Sequence, residues 1–468
     1  MTLSRAFLPL TGAILLISLS ALLYPGMLNM DSASMLEQAM TGRFNDWHSP
    51  AVSMLWGVLN HLWSGPPSLL IFGLALYVAG ACWFVRNAAT GKAANVAALL
   101  LLCLWPPLLN DLSLVGKDQA FIACLMPAIA LVLQAKSDGR LSPWMLVLLA
   151  ALIFAACAIR QDSAIALIPC LILLYRLPLG NRSKGFGWSL AGALAIFSVM
   201  AGLVLTTGFN RLVAQAYVTF PLQTTLVHDL AGISARTDLY LMPSYVDPAL
   251  DLPMLKGRYT PVSGDPVLFD MHNPIVKIVA EKADVQDLES AWANAVLHHP
   301  WAYLQHRIAT FVDLLGIEEP QPYQLYQPDT DEFGAHWHHL TAADHIKNPH
   351  NAVLTLYRGH LMPALLDTPV FRGYAYDIAL LALGLLALIR RRGPRDAVIA
   401  ALGAGALLHQ AALLTVSPAA LFRYLYPSVL ITLVMLVLTI TGPRIVPGHT
   451  PRLRLRFSLP NTSRRKEN

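Results

Sequence analysis

The chain has 468 residues, of which 55% are hydrophobic and 13% are charged, and its mean hydropathy is +0.51. Soluble globular proteins carry about 25% charged residues, so this composition excludes that class and indicates a membrane protein with several spanning helices. The formal net charge is only +5, without a basic amphipathic helix or zinc-finger spacing, so no nucleic-acid partner is expected.

Ten segments are apolar and long enough to cross a hydrocarbon core of about 30 Å. The first could instead be a cleaved signal peptide, but its length and the many later spans favour an uncleaved helix. Residues 51–63 are too few to span and predict an interfacial helix. The predicted spans are 6–24, 67–85, 93–109, 119–135, 143–159, 163–176, 187–207, 374–389, 396–416 and 424–441.

The distribution of Lys and Arg orients these spans. With a cytoplasmic N-terminus, the inner segments hold 19 of the 33 basic residues and only three acidic ones, Asp138, Asp396 and Glu467. Positive residues are enriched in cytoplasmic loops. We therefore expect both termini in the cytoplasm.

This topology divides the chain into four parts. Residues 1–207 form an N-terminal transmembrane module whose first outer loop is 25–66, and residues 208–373 form an outer loop domain. Residues 374–443 hold the last spans, and 444–468 form a basic cytoplasmic tail. The fold class expected is an all-α integral membrane protein with about ten transmembrane helices and one large outer-face loop domain.

The positions of the cysteines indicate the cellular compartment of the protein. All five cysteines fall inside predicted spans, and the Asn-x-Ser/Thr sequon at Asn461 lies in the inner tail. The outer loop domain therefore has no disulfides. Both facts favour a bacterial inner (plasma) membrane, with the outer loop domain in the periplasm.

Charged residues near span ends gather on one side of the membrane. They occur in the first loop and in the stretches 116–121, 159–164, 228–232 and 421–427, all of which the predicted topology places outside. A charged side chain at the bilayer centre costs about 2.5–3.5 kcal/mol of free energy. Charged side chains at the ends of spans avoid this cost. Packed spans would collect these groups into one partly dry site at the outer boundary.

Each cluster also has a purely structural interpretation. Asp31 could cap a helix with Ser32 and Ser34. Asp118 and Asp162 could favour the dipoles of the helices they begin. Lys117 and Arg160 could extend to lipid headgroups. The recurrence of these clusters on one face favours a functional site.

A lipid-linked phosphate donor suits such a site. Its phosphate lies at headgroup depth, where Arg and Lys can bind it. Transfer to a hydroxyl needs a general base, and a carboxylate in an apolar cleft can have the raised pKa that such a base prefers.

The order of these motifs resembles the GT-C superfamily of polytopic glycosyltransferases, whose members carry a catalytic Asp directly after the first span. One bacterial branch reads approximately Asp-Ser, Gln, Trp-His-Pro, Lys-Asp, Arg-x-Asn-Gly and a late Arg-Tyr. Here Ser49 separates His48 from Pro50, and Asp162-Ser163 stands where that branch has Asn-Gly. The matching residues are Asp31-Ser32, Gln38, Asp46-Trp47-His48, Lys117-Asp118, Arg160-Gln161-Asp162-Ser163, His228-Asp229 and Phe422-Arg423-Tyr424.

The resemblance implies a GT-C-like bundle that moves a sugar, with inversion, from a polyprenyl-phosphate carrier to a hydroxyl of a cell-envelope glycan or lipid. Asp31 would be the general base. His48, Lys117, Arg160 and Arg423 would bind the donor phosphate. Asp118, Asp162, His228 and Asp229 would orient those cations or bind the sugar. Some relatives use a divalent metal, for which Asp31 and Asp118 could serve.

Three other interpretations stay open. The histidines at 336, 338, 339, 345 and 350 could hold zinc, although no Cys accompanies them. A lipid-linked glycan transporter or flippase would place its binding groups near the midplane, on broken helices. A ligase or polymerase of whole lipid-linked glycans would use the same outer-face charges.

Overall fold

The structure, a computed structural model, describes residues 3–89, 91–179, 184–246, 250–268, 281–317, 352–390 and 393–441. These residues form helices and no strand; three isolated β-bridges are the only extended pairings among them. The predicted all-α membrane fold is confirmed in this respect. The predicted histidine cluster at 336–350 and the basic tail lie outside the described residues.

The first half of the chain alternates long and short helices. They are α1 (Leu3–Leu23), α2 (Met30–Thr41), α3 (Pro50–Asn60), α4 (Pro66–Ala88), α5 (Lys92–Leu104), α6 (Pro106–Ser113), α7 (Lys117–Asp138), α8 (Pro143–Ile159), α9 (Ile168–Leu179) and α10 (Lys184–Gly208).

The second half begins with short helices and ends with three long ones. They are α11 (Gln223–Thr237), α12 (Leu252–Arg258), α13 (Asp265–Leu268), α14 (Lys282–His298), α15 (Pro300–Leu314), α16 (Ala352–Leu356), α17 (Met362–Leu366), α18 (Gly373–Arg390), α19 (Pro394–Val416) and α20 (Tyr426–Ile440).

Within the described ranges, seven helices are long and apolar enough to cross a membrane, or eight if one bent pair counts as a single span, which indicates a multi-pass membrane protein. This count is below the predicted number of about ten spans. The helices at 143–159 and 164–179 are shorter than a standard span, and the predicted span 93–109 is a pair, α5 and α6, bent by 59°. The bend falls at Trp105, directly before Pro106 and Pro107, because proline cannot continue a regular helix.

Close packing between α4 and α7 forms the centre of the bundle. A Cβ added to Gly80 would lie 2.7 Å from the ring of Pro127, and one added to Gly73 would lie 2.9 Å from the side chain of Gln119. Small residues let spanning helices approach in this way. The contact fixes α7, whose first turn holds Lys117 and Asp118.

A short backbone pairing joins the entrance of α2 to the entrance of α7. The Met27 N–H donates to the Ser113 carbonyl at 2.9 Å, and the Val115 N–H donates to the Met27 carbonyl at 2.8 Å. Asp31 and Lys117 follow these residues by a few positions. The pairing therefore brings their two helix starts together at one end of the bundle, called the site end below.

The segment from α11 to α15 has a hydrophobic cluster of its own. Its buried members include Leu230, Ile233, Leu255 and Leu288. The apolar stripe predicted over 286–316 forms two helices, α14 and α15, separated at His299 and Pro300 as expected. We call this segment the loop region.

Candidate functional site

The side chains of Arg423, Lys117 and His48 surround the carboxylate of Asp31. Arg423 Nη1 donates to Asp31 Oδ2 at 2.8 Å, and Lys117 Nζ lies 3.3 Å from the same oxygen. His48 Nε2 is 3.9 Å from Asp31 Oδ1, and its Nδ1 is 3.3 Å from Lys117 Nζ. Residues that are up to 392 positions apart in the chain thus meet at one carboxylate.

Asp31 is not the cap of α2, so that structural interpretation is wrong. The cap is Asn29, whose Oδ1 accepts from the Ser32 N–H and the Ser32 hydroxyl, both at 2.8 Å. Asp31 lies in the first turn, where a carboxylate gains from the helix dipole. Its side chain is 23% exposed, so it can still meet a ligand.

A second, more buried ion group adjoins the first. Arg160 Nη1 donates to Asp118 Oδ1 at 2.7 Å, and its Nη2 donates to Asp162 Oδ2 at 2.8 Å. The Arg160 side chain is only 6% exposed. Arg160 therefore does not extend to lipid headgroups; it sits between two carboxylates at the end of α8.

Arg423 and Tyr424 connect the two groups. Arg423 Nη1 is 3.9 Å from Asp118 Oδ2, and the Tyr424 ring lies under both guanidinium groups, 5.3 Å from Arg160 Cζ and 5.5 Å from Arg423 Cζ. Guanidinium groups stack favourably on aromatic faces. The combined set, called the ionic site, comprises Asp31, His48, Lys117, Asp118, Arg160, Asp162 and Arg423.

Charge in the ionic site sets the pKa of its acid and its imidazole. Burial alone would raise the pKa of Asp31, but the positive charges of Arg423 and Lys117 outweigh it and hold that pKa well below 3.8. The prediction of a raised pKa for the carboxylate in this place is thus wrong, because the pKa of Asp31 is lowered. Burial, with the charges of Lys117 and Arg423, lowers the pKa of His48 to about 4.

These shifts predict sensitivity to acid. His48, whose pKa falls from 6.5 to about 4 on folding, must bind a proton when the protein unfolds below pH 6.5. Stability should therefore fall by about 1.4 kcal/mol per pH unit between pH 6.5 and 4. Asp31 adds a further loss only below pH 3.8. Thermal unfolding midpoints in detergent measured from pH 7.5 to 4.5 should fall less steeply for His48→Gln than for the parent; equal slopes would contradict this.

Little space remains beside Asp31. The cavity there measures about 10 Å³, roughly the room for one water molecule. A phosphate or a sugar can enter only if side chains move. The lining residues are Asn29, Asp31, Ser32, Met35, Leu114, Gly116, Lys117 and Asp118.

The Asp31–Asp118 pair does not fit a divalent metal. Arg423 Nη1 lies within 3.9 Å of a carboxylate oxygen of each residue, so the two carboxylates already share a cation. Within the described ranges, no group of three or more His, Cys, Asp or Glu side chains has metal-binding geometry.

His228 and Asp229 lie in the loop region, apart from the ionic site. Asp229 is fully buried and accepts from Arg307 Nη2 at 2.7 Å and from Trp292 Nε1 at 2.8 Å. His306 Nε2 is 3.2 Å from Asp229 Oδ1, and its ring packs edge-on against His228 with centroids 4.6 Å apart. Their predicted part in substrate binding stays a prediction.

The loop region is nevertheless tied to the ionic site through one stretch of backbone. Arg307 Nη1 donates to the Ser417 carbonyl at 2.8 Å, and the Ala420 N–H donates to the Val262 carbonyl at 2.6 Å. Ser417 and Ala420 precede Arg423 by six and three residues. The interior of the loop region therefore helps to fix the position of Arg423.

Two acidic residues near the ionic site were not predicted. Asp265 begins α13; partial loss of hydration and the charge of Asp31 raise its pKa, although a hydrogen bond with Ser263 and the charge of Arg423 oppose this. Asp111 in α6 is fully buried, and neither of its oxygens has a hydrogen-bond partner in the described part of the chain. Neither residue belongs to a recognisable motif, and only the bend before α6 could have drawn attention to Asp111.

No protein-family model matches the chain, and no curated protein sequence matches it either. The geometry of the ionic site is therefore the basis for assigning a function.

Proposed function

We propose that the protein is a membrane glycosyltransferase of GT-C type. It would transfer a sugar, with inversion, from a polyprenyl-phosphate carrier to a hydroxyl of a cell-envelope glycan or lipid. One observation supports this most directly: a partly exposed carboxylate, Asp31, shares the end of the helical bundle with two partly exposed cations, Lys117 and Arg423. On this proposal, Asp31 as the base and Lys117 and Arg423 as the anion site would be adjacent at the depth of a lipid phosphate.

The cations of the site divide into two kinds. Lys117 and Arg423 are 21% and 22% exposed, so they can reach a phosphate. Arg160 is 6% exposed and already donates to Asp118 and Asp162. We therefore assign donor phosphate binding to Lys117 and Arg423, with neutral His48 beside them, and a positioning role to Arg160, Asp118 and Asp162.

The charge balance suggests how Asp31 becomes a base. Lys117 and Arg423 keep its pKa low while they contact it. A donor phosphate that draws both cations towards itself would weaken those contacts and raise the pKa of Asp31 towards the range useful for proton abstraction. The same movement would widen the small cavity beside the carboxylate.

The reaction then follows in one displacement. The acceptor hydroxyl oxygen bonds to the anomeric carbon as its proton passes to Asp31. The bond from that carbon to the phosphate oxygen breaks, and its electron pair leaves with the polyprenyl phosphate. Lys117 and Arg423 would stabilise the charge that develops on the departing phosphate.

Turnover in detergent tests this proposal. The purified chain in micelles would receive polyprenyl-phosphate sugars as donors and an envelope extract from cells lacking the chain as acceptor. We expect acceptor molecules heavier by one sugar, and free polyprenyl phosphate. A micelle has no two compartments to transport between, so product formation separates an enzyme from a transporter. Addition of a whole glycan in one step would instead indicate the ligase or polymerase alternative.

A lipid-linked glycan transporter is the second candidate, and α6 supports it. Asp111 is a buried carboxylate without a described partner, next to the 59° bend between α5 and α6. Transporters often bind their substrates on broken helices, and ionisable groups inside a membrane are commonly functional. Absence of product in detergent, together with movement of lipid-linked glycans across vesicles containing the chain, would favour this candidate.

We further propose that the protein lies in a bacterial inner membrane with both termini in the cytoplasm and the ionic site facing the periplasm. The support is the concentration of Lys and Arg in the segments between the opposite span ends, such as 86–92 and 390–395. Labelling of introduced cysteines at Lys92 and at Glu289 with a membrane-impermeant maleimide should modify only position 289 in intact cells.

A further inference from the structure

A row of exposed apolar side chains runs along one side of the α14–α15 junction. Leu297 is 78% exposed, Trp301 67%, Leu304 41% and Ile308 45%. The spacing of Trp301, Leu304 and Ile308 places these three residues on one face of α15. Leu297 lies in the last turn of α14, just before the break at His299. We call these four residues the α15 stripe.

The opposite side of α15 is buried. Ala302, His306 and Thr310 face the interior of the loop region and are at most 8% exposed. The helix is thus amphipathic in an unusual sense, because it buries a His and a Thr while it exposes a Trp, a Leu and an Ile. Such a face does not suit bulk water, since large exposed apolar patches mark contact surfaces.

Two contacts show that α15 runs across the ends of the spans. Arg307, in the middle of the helix, donates to the Ser417 carbonyl at the end of α19. Leu315, directly after the helix, accepts from the Tyr374 N–H at the start of α18, at 3.1 Å. The eight steps from Arg307 to Leu315 correspond to about 12 Å of helix, comparable with the separation of two packed neighbours. The second half of α15 therefore passes from the end of α19 to the start of α18.

Exposed apolar residues lie next to the span positions that α15 contacts. Val416, adjacent to Ser417, is 41% exposed, and Ile378, one turn beyond Tyr374, is 63% exposed. Leu222, just before α11, is 54% exposed, and Thr225 of that helix donates to the Val416 carbonyl. The lateral faces of spanning helices meet lipid, so α15 contacts the ends of two helices that carry lipid-facing side chains.

The composition of the stripe suits the boundary between lipid and water. It contains no charged residue, and tryptophan is enriched at that boundary because it has both a large apolar surface and an N–H donor. A helix with an apolar face of this kind lies in the plane of the interface, with that face buried some 5–10 Å into the headgroup and acyl boundary.

We propose that the α15 stripe is a lipid-binding surface: the loop region rests on the leaflet at the site end of the bundle, with Trp301, Leu304 and Ile308 inserted among the lipids. The contact would hold the loop region beside the span ends and so support Arg307, which bonds to the backbone leading to Arg423. The inference depends on the membrane-spanning fold and is independent of the sugar-transfer proposal.

Photo-crosslinking in native membranes tests this surface. The photoreactive residue p-benzoylphenylalanine would replace Trp301, Leu304 or Ile308, one at a time, in the full chain. The matched control is the same residue at Glu289, an exposed position of α14 outside the stripe. After irradiation and digestion, we expect phospholipid adducts by mass spectrometry at the three stripe positions and none above background at Glu289.

Four results would overturn the proposal. Adducts between two copies of the chain would make the stripe a dimer interface. Adducts to another segment of the same chain would mean that the protein itself covers the stripe. Equal lipid labelling at Glu289 would mean that the stripe contacts lipid no more than the control surface does. No labelling at the stripe would leave it facing water.

Discussion

Replacement of Asp31 by asparagine is expected to lower sugar transfer by about 10²–10⁴-fold, the usual contribution of a general base. Asparagine keeps the size of the side chain and can still accept from Arg423, whose Nη1 lies 2.8 Å away. It cannot take the proton of an acceptor hydroxyl. The rate of product formation at saturating donor and acceptor should therefore fall while the affinity for polyprenyl phosphate is kept or increased.

The matched control is Glu37→Gln. Glu37 lies six residues further along α2, about 240° around the helix from Asp31, and the change removes a carboxylate of the same helix. We expect normal transfer from this variant at equal protein level. If Asp31→Asn retained full transfer, Asp31 would be only a counter-charge for Lys117 and Arg423, and the enzyme proposal would lose its base.

Replacement of Arg160 by methionine is expected to lower the stability of the protein as well as its activity. Arg160 and Asp118 are 6% and 5% exposed, and Arg160 also neutralises Asp162. Removal of the cation leaves buried Asp118 with only the more distant Arg423, whose Nη1 is 3.9 Å away, and removes the ion pair of the partly exposed Asp162. Loss of one member of a buried pair commonly costs about 3–5 kcal/mol. The thermal unfolding midpoint in detergent, together with the yield of folded protein, measures this cost.

A triple variant distinguishes charge from packing. Arg160→Met combined with Asp118→Asn and Asp162→Asn has no unpaired charge at these positions, so it should recover a large part of the lost stability. It should not recover sugar transfer, because the ionic site would lack its ordered anchor beside Arg423. If the triple variant were as unstable as Arg160→Met, the lost stability would come mainly from packing around the guanidinium. Tyr424, whose ring lies under Arg160, would then be the next residue to mutate.

The residues that come together in the ionic site were singled out from the sequence, but how they pair was not predicted. Asp31, Lys117, Arg160 and Arg423 were identified because charges are rare next to spans and because their order resembles a family pattern. A hydropathy profile, however, does not show which charged side chains contact one another. It could not show that Arg160 is paired with two carboxylates, or that the cations on Asp31 lower the pKa of that residue instead of leaving it raised.

The span count failed for a local reason. Windows of hydropathy treat 93–109 as one apolar run, whereas Trp105-Pro106-Pro107 divides it into two helices. The same windows placed Asp111 outside the bundle, although the bend returns it to the interior. His228 and Asp229 were grouped with the site from their charge, the predicted topology and the family resemblance. Their contacts with His306 and Arg307, on a helix far along the chain, depend on tertiary structure and were not predicted.

The bonds from Arg307 to the Ser417 carbonyl and from Ala420 to the Val262 carbonyl bear on how such a protein can be re-engineered. A loop region exchanged for a segment of another protein would need a side-chain donor at position 307 and a carbonyl at position 262 in matching places. Without them, the backbone before Arg423 would lose both of these supports. Changes to the loop region are therefore better made by point substitutions on its exposed surface than by exchange of the whole segment.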